Sequence, residues 1–357
     1  MKKIICKLKS IIDAVKGFCK KKNVVVSGKR YGIDALGAMA QGLFCSLLIG
    51  TIIKTLGQRI GVELLVTVGQ FACDMSGAAM AIAIGHALQA PPLVLFSLAA
   101  VGYASNQCGG AGGPLAVLIV AILAAECGKL ISKETKIDIL VTPLVTIFVG
   151  CLLSVWWAPA IGSAASSVGE LIMWATELQP FWMGIFVSVV VGIALTLPIS
   201  SAAICASLGL VGLAGGAAVA GCCAQMVGFA VMSFRENRWG GLISQGLGTS
   251  MLQMGNIVKN PKIWIPAIVT SAITGPLATC LFKLEMNGPA VSSGMGTCGL
   301  VGQIGIYTGW VDAGKSVGAL DWVGLVMICF VLPAVICWSL GLICRKAGWI
   351  KEGDLKL

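Results

Sequence analysis

The chain has 357 residues, 57% of them hydrophobic and 11% charged, with 47 glycines and a mean hydropathy of +0.93. A soluble globule carries about a quarter charged residues, so one is excluded; a β-barrel, whose strands alternate over about ten residues, is excluded by long unalternated runs of Leu, Ile, Val, Ala and Gly. The net charge of +10 does not argue for nucleic acid, because Lys and Arg gather in the N-terminal segment, short loops and the tail, as in cytoplasmic loops under the positive-inside rule.

Met1 to Lys22 alternates lysines with Ile4, Ile5, Leu8, Ile11, Ile12, Val15 and Phe18. It lacks the continuous apolar core of a cleavable signal peptide and predicts a basic amphipathic helix on the inner leaflet, with the N-terminus cytoplasmic. Residues 1–30 form this segment, 31–345 a single membrane domain and 346–357 a cytoplasmic tail.

Apolar segments follow at about 34–56, 61–88, 91–105, 114–131, 138–159, 181–198, 208–233, 262–284 and 322–344. At 1.5 Å per residue several span about 30 Å of hydrocarbon, whereas 91–105 is short enough for a half-helix or re-entrant element. About eight to ten transmembrane helices are expected, with re-entrant hairpins, in an all-α polytopic protein. Lys133, Glu134 and Lys136 make one charged connector and Arg235, Glu236 and Arg238 another; with Lys129, Arg345, Lys346 and Lys351 they are expected to face the cytoplasm.

Two stretches are amphipathic. Residues 160–178 carry Glu170 and Glu177, and 239–257 carry Gln245, Gln253 and Asn256; each reads as an interfacial or linking element or as an ordinary connecting helix. Trp156, Trp157, Trp174, Trp182 and Trp239 fit interfacial belts. The 15 cysteines lie mostly in apolar runs and read as buried thiols. One histidine and no C-x-x-C pair leave no support for a metal site, and no cofactor is expected.

The strongest functional signal is a pair of interruptions: Pro198 to Ser200-Ser201 running on to Gly209 and Gly212, and Pro289 to Ser292-Ser293 running on to Gly299 and Gly302. Broken backbone at membrane depth persists only where it lines a cavity or is buried in protein, so two similar breaks predict a substrate site. Ionisable and amide groups in apolar sequence add candidates. Asp74 suits a proton, a cation or a substrate hydroxyl, or else caps a broken helix near Gly77, with Gln70 and Ser76 close by. His86 suits a hydroxyl contact or proton transfer, or a backbone carbonyl partner. Asn106 and Gln107, before Gly109-Gly110 and Gly112-Gly113, form either a polar elbow at a ligand or a turn. Thr196, Ser200 and Ser201, then Glu285, Asn287, Ser292, Ser293 and Thr297, complete the set. These hydroxyls and amides suit a neutral polyol, while the neighbouring glycines also suit close helix packing.

The runs Lys133-Glu134-Thr135-Lys136-Ile137-Asp138-Ile139-Leu140-Val141-Thr142-Pro143, Pro198-Ile199-Ser200-Ser201-Ala202-Ala203, Arg235-Glu236-Asn237-Arg238-Trp239-Gly240-Gly241 and Gln245-Gly246-Leu247-Gly248-Thr249-Ser250-Met251-Leu252-Gln253 resemble the EIIC-like membrane proteins of the bacterial phosphotransferase system, in the branch that includes the perfringolysin O regulator-like proteins. Asn260-Pro261 and Gly294-Met295-Gly296-Thr297 extend the likeness, which covers about residues 30–345. The resemblance implies a homodimeric sugar permease of the bacterial cell membrane, with re-entrant hairpins in a transport domain that moves elevator-fashion. Sugar-transporting members use a Glu in a Gly-Ile-x-Glu-Pro type of motif; this chain has none, and Glu285 is the nearest substitute. No IIB-like cysteine region or IIA-like histidine region is legible, so separate phosphotransfer proteins are the implied partners and the chain itself is not expected to be an enzyme. The expected function is a transporter of a small polar solute, a sugar or related metabolite, with a membrane sensor that regulates gene expression as the alternative.

Overall fold

The computed structural model describes residues 17–357, so most of the basic N-terminal segment lies outside the described residues. Among those described, regular structure is helical, and the one extended pairing is an isolated antiparallel bridge between Gly212 and Met286.

Helix α1 (Arg30–Gln58) ends at the Gly61 turn and returns as α2 (Glu63–Asp74) and α3 (Ser76–Ala87), which are bent by 46° at Met75. Prolines at the first helical turn, where the missing N–H costs nothing, open α4 (Pro92–Gly109), α5 (Gly113–Ile131), α7 (Pro180–Thr196) and α12 (Pro261–Leu281). The chain reverses between α4 and α5 at Gly110, whose φ of +49° is open to glycine and costly for other residues. The reversal returns the end of α5 to the start of α4, where Lys129 Nζ donates to Leu88 O at 3.2 Å. With 18 residues, α4 is about 27 Å long. The short segment expected at 91–105 is therefore a full helix rather than a half-helix, because Ser105, Asn106 and Gln107 continue it to Gly109.

Helix α6 (Asp138–Thr176) is continuous over 39 residues and carries Pro143 and Pro159 inside it. It absorbs all but the last two residues of 160–178, expected as a separate amphipathic element. Helices α8 (Ser201–Ser207), α9 (Gly212–Met232), α10 (Phe234–Ile243), α11 (Met254–Lys259), α13 (Val301–Asp312) and α14 (Ala319–Lys346) complete the chain. Among the described residues, six helical stretches are long and apolar enough to cross a membrane, or seven with the bent α2–α3 pair. One of the six is the α4–α5 stretch, which reverses at Gly110, and α7 is a shorter apolar helix of 17 residues.

One end of the bundle gathers the basic groups. Lys22 there pairs with Glu134 and donates to Ser132 O at 2.5 Å; Arg30 donates to Leu88 O at 2.5 Å; Arg345 Nη2 lies 2.7 Å from Glu236 Oε1. Lys129, expected among basic loops, is instead buried in α5, 2.7 Å from Glu126 and bonded to Asn23 O at 2.9 Å. The amides of 239–257 differ in the same way: Gln245 and Gln253 are buried because they and their neighbours hold the chain end. Gln253 Nε2 donates to Leu355 O and to Gln245 Oε1, each at 2.9 Å, Asn256 Nδ2 to Lys356 O at 2.9 Å, and Asn237 Nδ2 to Leu355 O at 2.7 Å. The apolar core at this end joins both halves, with Leu36, Met39 and Leu43 of α1 packed among Phe229, Met251, Met254 and Ile257.

Candidate functional site

The two interruptions meet. After α7 the chain turns at Leu197, and Ser200 caps α8, its Oγ accepting from Ala203 N at 3.2 Å while its own N–H donates to Ala111 O at 2.9 Å in the α4–α5 elbow. After α12 the second interruption forms short 3-10 turns at Ala290–Gly294 and Cys298–Leu300 before α13. Gly212 N donates to Met286 O at 2.9 Å and Met286 N to Gly212 O at 3.0 Å. Ser293 Oγ donates to Leu210 O at 2.6 Å and Ser201 Oγ to Gly294 O at 2.8 Å. A Cβ at Gly216 would lie 1.7 Å from Leu284 O, so only glycine lets the second interruption approach α9 this closely. Each break thus satisfies backbone carbonyls of the other, which irregular chain at membrane depth requires.

Of each Ser-Ser pair, one hydroxyl bonds the opposite break and the other residue lines a shared cavity, Ser200 while its Oγ also accepts the α8 cap bond. Ser200 and Ser292 line a cavity of about 490 Å³ whose opposite wall is Thr51, Lys54, Thr55 and Gln58 of α1 with Gln70 and Cys73 of α2. Apolar contacts come from Ala202, Ala203, Met295, Val301 and Ile304. Lys54 Nζ donates to Gln70 Oε1 at 2.6 Å, and Gln70 Nε2 donates to Asp74 Oδ1 at 2.6 Å. A narrow apolar continuation of about 50 Å³ shares Leu47, Ser200, Ala202 and Met295 with the cavity and adds Leu43, Leu195, Ile199 and Met251. Concave space of this size with a few convergent polar groups matches small-molecule sites, which run about 300–1,000 Å³.

Residues 33–357 match the family described as phosphotransferase system, EIIC. This chain belongs to the EIIC family. No curated protein matches it. Family and fold together make it a polytopic membrane permease component of the phosphotransferase system.

The remaining residues singled out in the sequence of this EIIC protein lie elsewhere. Asp74 ends α2 but caps nothing: the N-cap of α3 is Met75, without a side-chain bond, and Asp74 is exposed beside Gln70. His86 is exposed near the basic end, in a separate cavity of about 400 Å³ with Asp34, Gln41, Asn256 and Lys259. Asn106 Nδ2 donates to Ser76 Oγ at 3.4 Å between α4 and α3, and Gln107 is exposed on α4. Glu285 and Asn287 are exposed and bond each other, Asn287 Nδ2 donating to Glu285 Oε2 at 3.1 Å, outside the cavity. Thr297 Oγ1 donates to Gly246 O at 2.5 Å. Thr196 Oγ1 lies 2.8 Å from Ser250 Oγ in a buried network below the first break.

Sequence reading missed Thr51, Lys54, Thr55 and Gln58. Lys54 had a legible signal, being the lone cation in the apolar run 34–56, the same argument that singled out Asp74.

Proposed function

We propose that this EIIC protein binds a small polar solute of the sugar kind in the cavity between α1–α2 and the two breaks, and carries it across the membrane by elevator-like alternating access. The observation that carries this reading is the meeting of both breaks, with one serine of each lining a shared cavity. The basic end is assigned to the cytoplasm on charge grounds, which puts both termini there. The cavity-lining part of α1, Leu47 to Gln58, then runs toward the outer end, while Leu36, Met39 and Leu43 seal the inner end in the core. That geometry corresponds to an outward-facing form. Phosphorylation is assigned to separate phosphotransfer proteins, and the assembly to a homodimer, as the family likeness implies.

The test is equilibrium binding and proteoliposome uptake of a radiolabelled sugar and metabolite panel by wild type and by the Ser292→Ala, Ser200→Ala and Gln58→Leu variants. Loss of one hydrogen bond weakens binding by about tenfold. Unchanged affinity in all three variants removes the site assignment. Saturable binding without flux, alone or with phosphotransfer partners, is the signature of the sensing alternative. Mass photometry of the detergent-solubilised protein reads the dimer directly.

A further inference from the structure

The polar lining of the cavity is chemically lopsided. Among its described residues Lys54 is the one charged group, and no carboxylate lines it. Lys54 makes no ion pair among the described residues; its ammonium donates one bond, to Gln70 Oε1. An ammonium carries three donors, so two stay free for a ligand. The nearest acid along this chain of bonds, Asp74, is reached only through the full length of the Gln70 amide and is itself exposed, outside the cavity lining. A cation at a cavity in the membrane domain is costly without a partner, and a ligand that brings the opposite charge offsets that cost on binding.

We propose, resting on the cavity assignment above, that the solute is a polyhydroxylated monoanion, a sugar acid with one carboxylate, in place of the neutral polyol expected from the sequence. One ammonium matches one negative charge, whereas a phosphate dianion calls for more donors than Lys54 supplies. The carboxylate lies against Lys54. The hydroxyls of the solute exchange bonds with Gln58, Ser200 and Ser292, whose donors and acceptors face the same space.

The experiment is equilibrium binding to purified full-length protein in nanodiscs, using matched radiolabelled pairs that differ only in an acid group: glucose and glucuronate, galactose and galacturonate, glycerol and glycerate. Wild type binds at least one acid roughly tenfold or more tighter than its neutral partner. Lys54→Gln weakens that acid by about ten- to a hundredfold, at least tenfold more than it weakens the neutral partner, and Lys54→Arg retains most of the affinity, as a charge-assisted bond requires. Thermal unfolding of each variant establishes that it is folded.

The proposal is overturned by a neutral sugar bound as tightly as its acid, by acid binding indifferent to Lys54→Gln, or by no acid binding at millimolar concentration. Gln58→Leu separates this failure from failure of the cavity itself. If neutral sugars bind and Gln58→Leu weakens them, the cavity stands and the anionic preference falls. If Gln58→Leu changes nothing for any bound solute, the cavity reading falls with it.

Discussion

Lys129 shows how one side chain can mislead a charge-based reading. It is 2% exposed, with Glu126 2.7 Å away and the Leu88 and Asn23 carbonyls as further partners. Removing one member of a buried pair leaves the other charge unpaired, at about 3–5 kcal/mol. Lys129→Met is therefore expected to lower the unfolding temperature in detergent markedly, and Glu126→Gln added to it to recover part of the loss; a wild-type Tm for the single variant contradicts this. Glu134 lies at the surface of the same end, in the α5–α6 connector. Its bond to Lys22 holds its carboxyl below the usual carboxylate range. Because the folded-state value is the lower one, the tie is fully present above the ordinary Glu value of about 4.3 and fades as pH falls through the folded value. Hydrogen exchange of residues 17–23, corrected for intrinsic rate, is expected to rise below about pH 4 in wild type. In Glu134→Gln it is expected to be the same on both sides of that pH.

Among the elements, the two interruptions hold one another through hydrogen bonds between Gly212 and Met286, Ser293 and Leu210, and Ser201 and Gly294. The 1.7 Å approach a Cβ at Gly216 would make to Leu284 O means that Gly216→Val displaces the second interruption. Loss of solute binding together with a lowered Tm is the expected result. Ser293→Ala is milder, leaving Leu210 O without its donor at about 1–3 kcal/mol. If Gly216→Val binds solute as wild type does, the two breaks do not depend on this contact. The chain end is a second such element: Ile350 and Leu355 are buried, and Asn237, Gln253 and Asn256 bond its carbonyls. Truncation after Ala347 strands these amides and is expected to cost several times the value of a single hydrogen bond, read as a fall in Tm larger than that of Ser293→Ala.

At the scale of the whole molecule, transport by the proposed motion requires α1 to shift against the second break. A Cβ built on Gly299 lies 3.6 Å from the Ile52 Cβ, inside the disulfide range of about 3.5–4.5 Å. An Ile52→Cys/Gly299→Cys pair is therefore expected to cross-link on oxidation, although Gly299 has a φ of +52° that a cysteine adopts with strain. The oxidised protein should bind solute yet stop taking it up, and reductant should restore flux. Full uptake by the cross-linked protein argues against an elevator movement between these two parts.

The membrane class, the helical fold, the two breaks and the EIIC likeness were legible in the sequence because they depend on local quantities: run length, hydropathy, charge placement and Gly, Pro and Ser spacing. The division of labour within each Ser-Ser pair was not legible. Which hydroxyl meets a carbonyl and which meets the cavity depends on how residues about 90 positions apart in sequence are packed, as Ser201 and Gly294 are. Asp74, Glu285 and Asn287 stood out by residue type, yet only packing decides what a polar group faces, and it turned them away from the cavity. It also brought Lys54 and Gln58 of the first membrane helix opposite the serines of the second half. Membrane crossing and two broken segments follow from the order of residues along the chain; the sharing of one cavity by both breaks follows from packing, because contacts between distant segments carry no local signature.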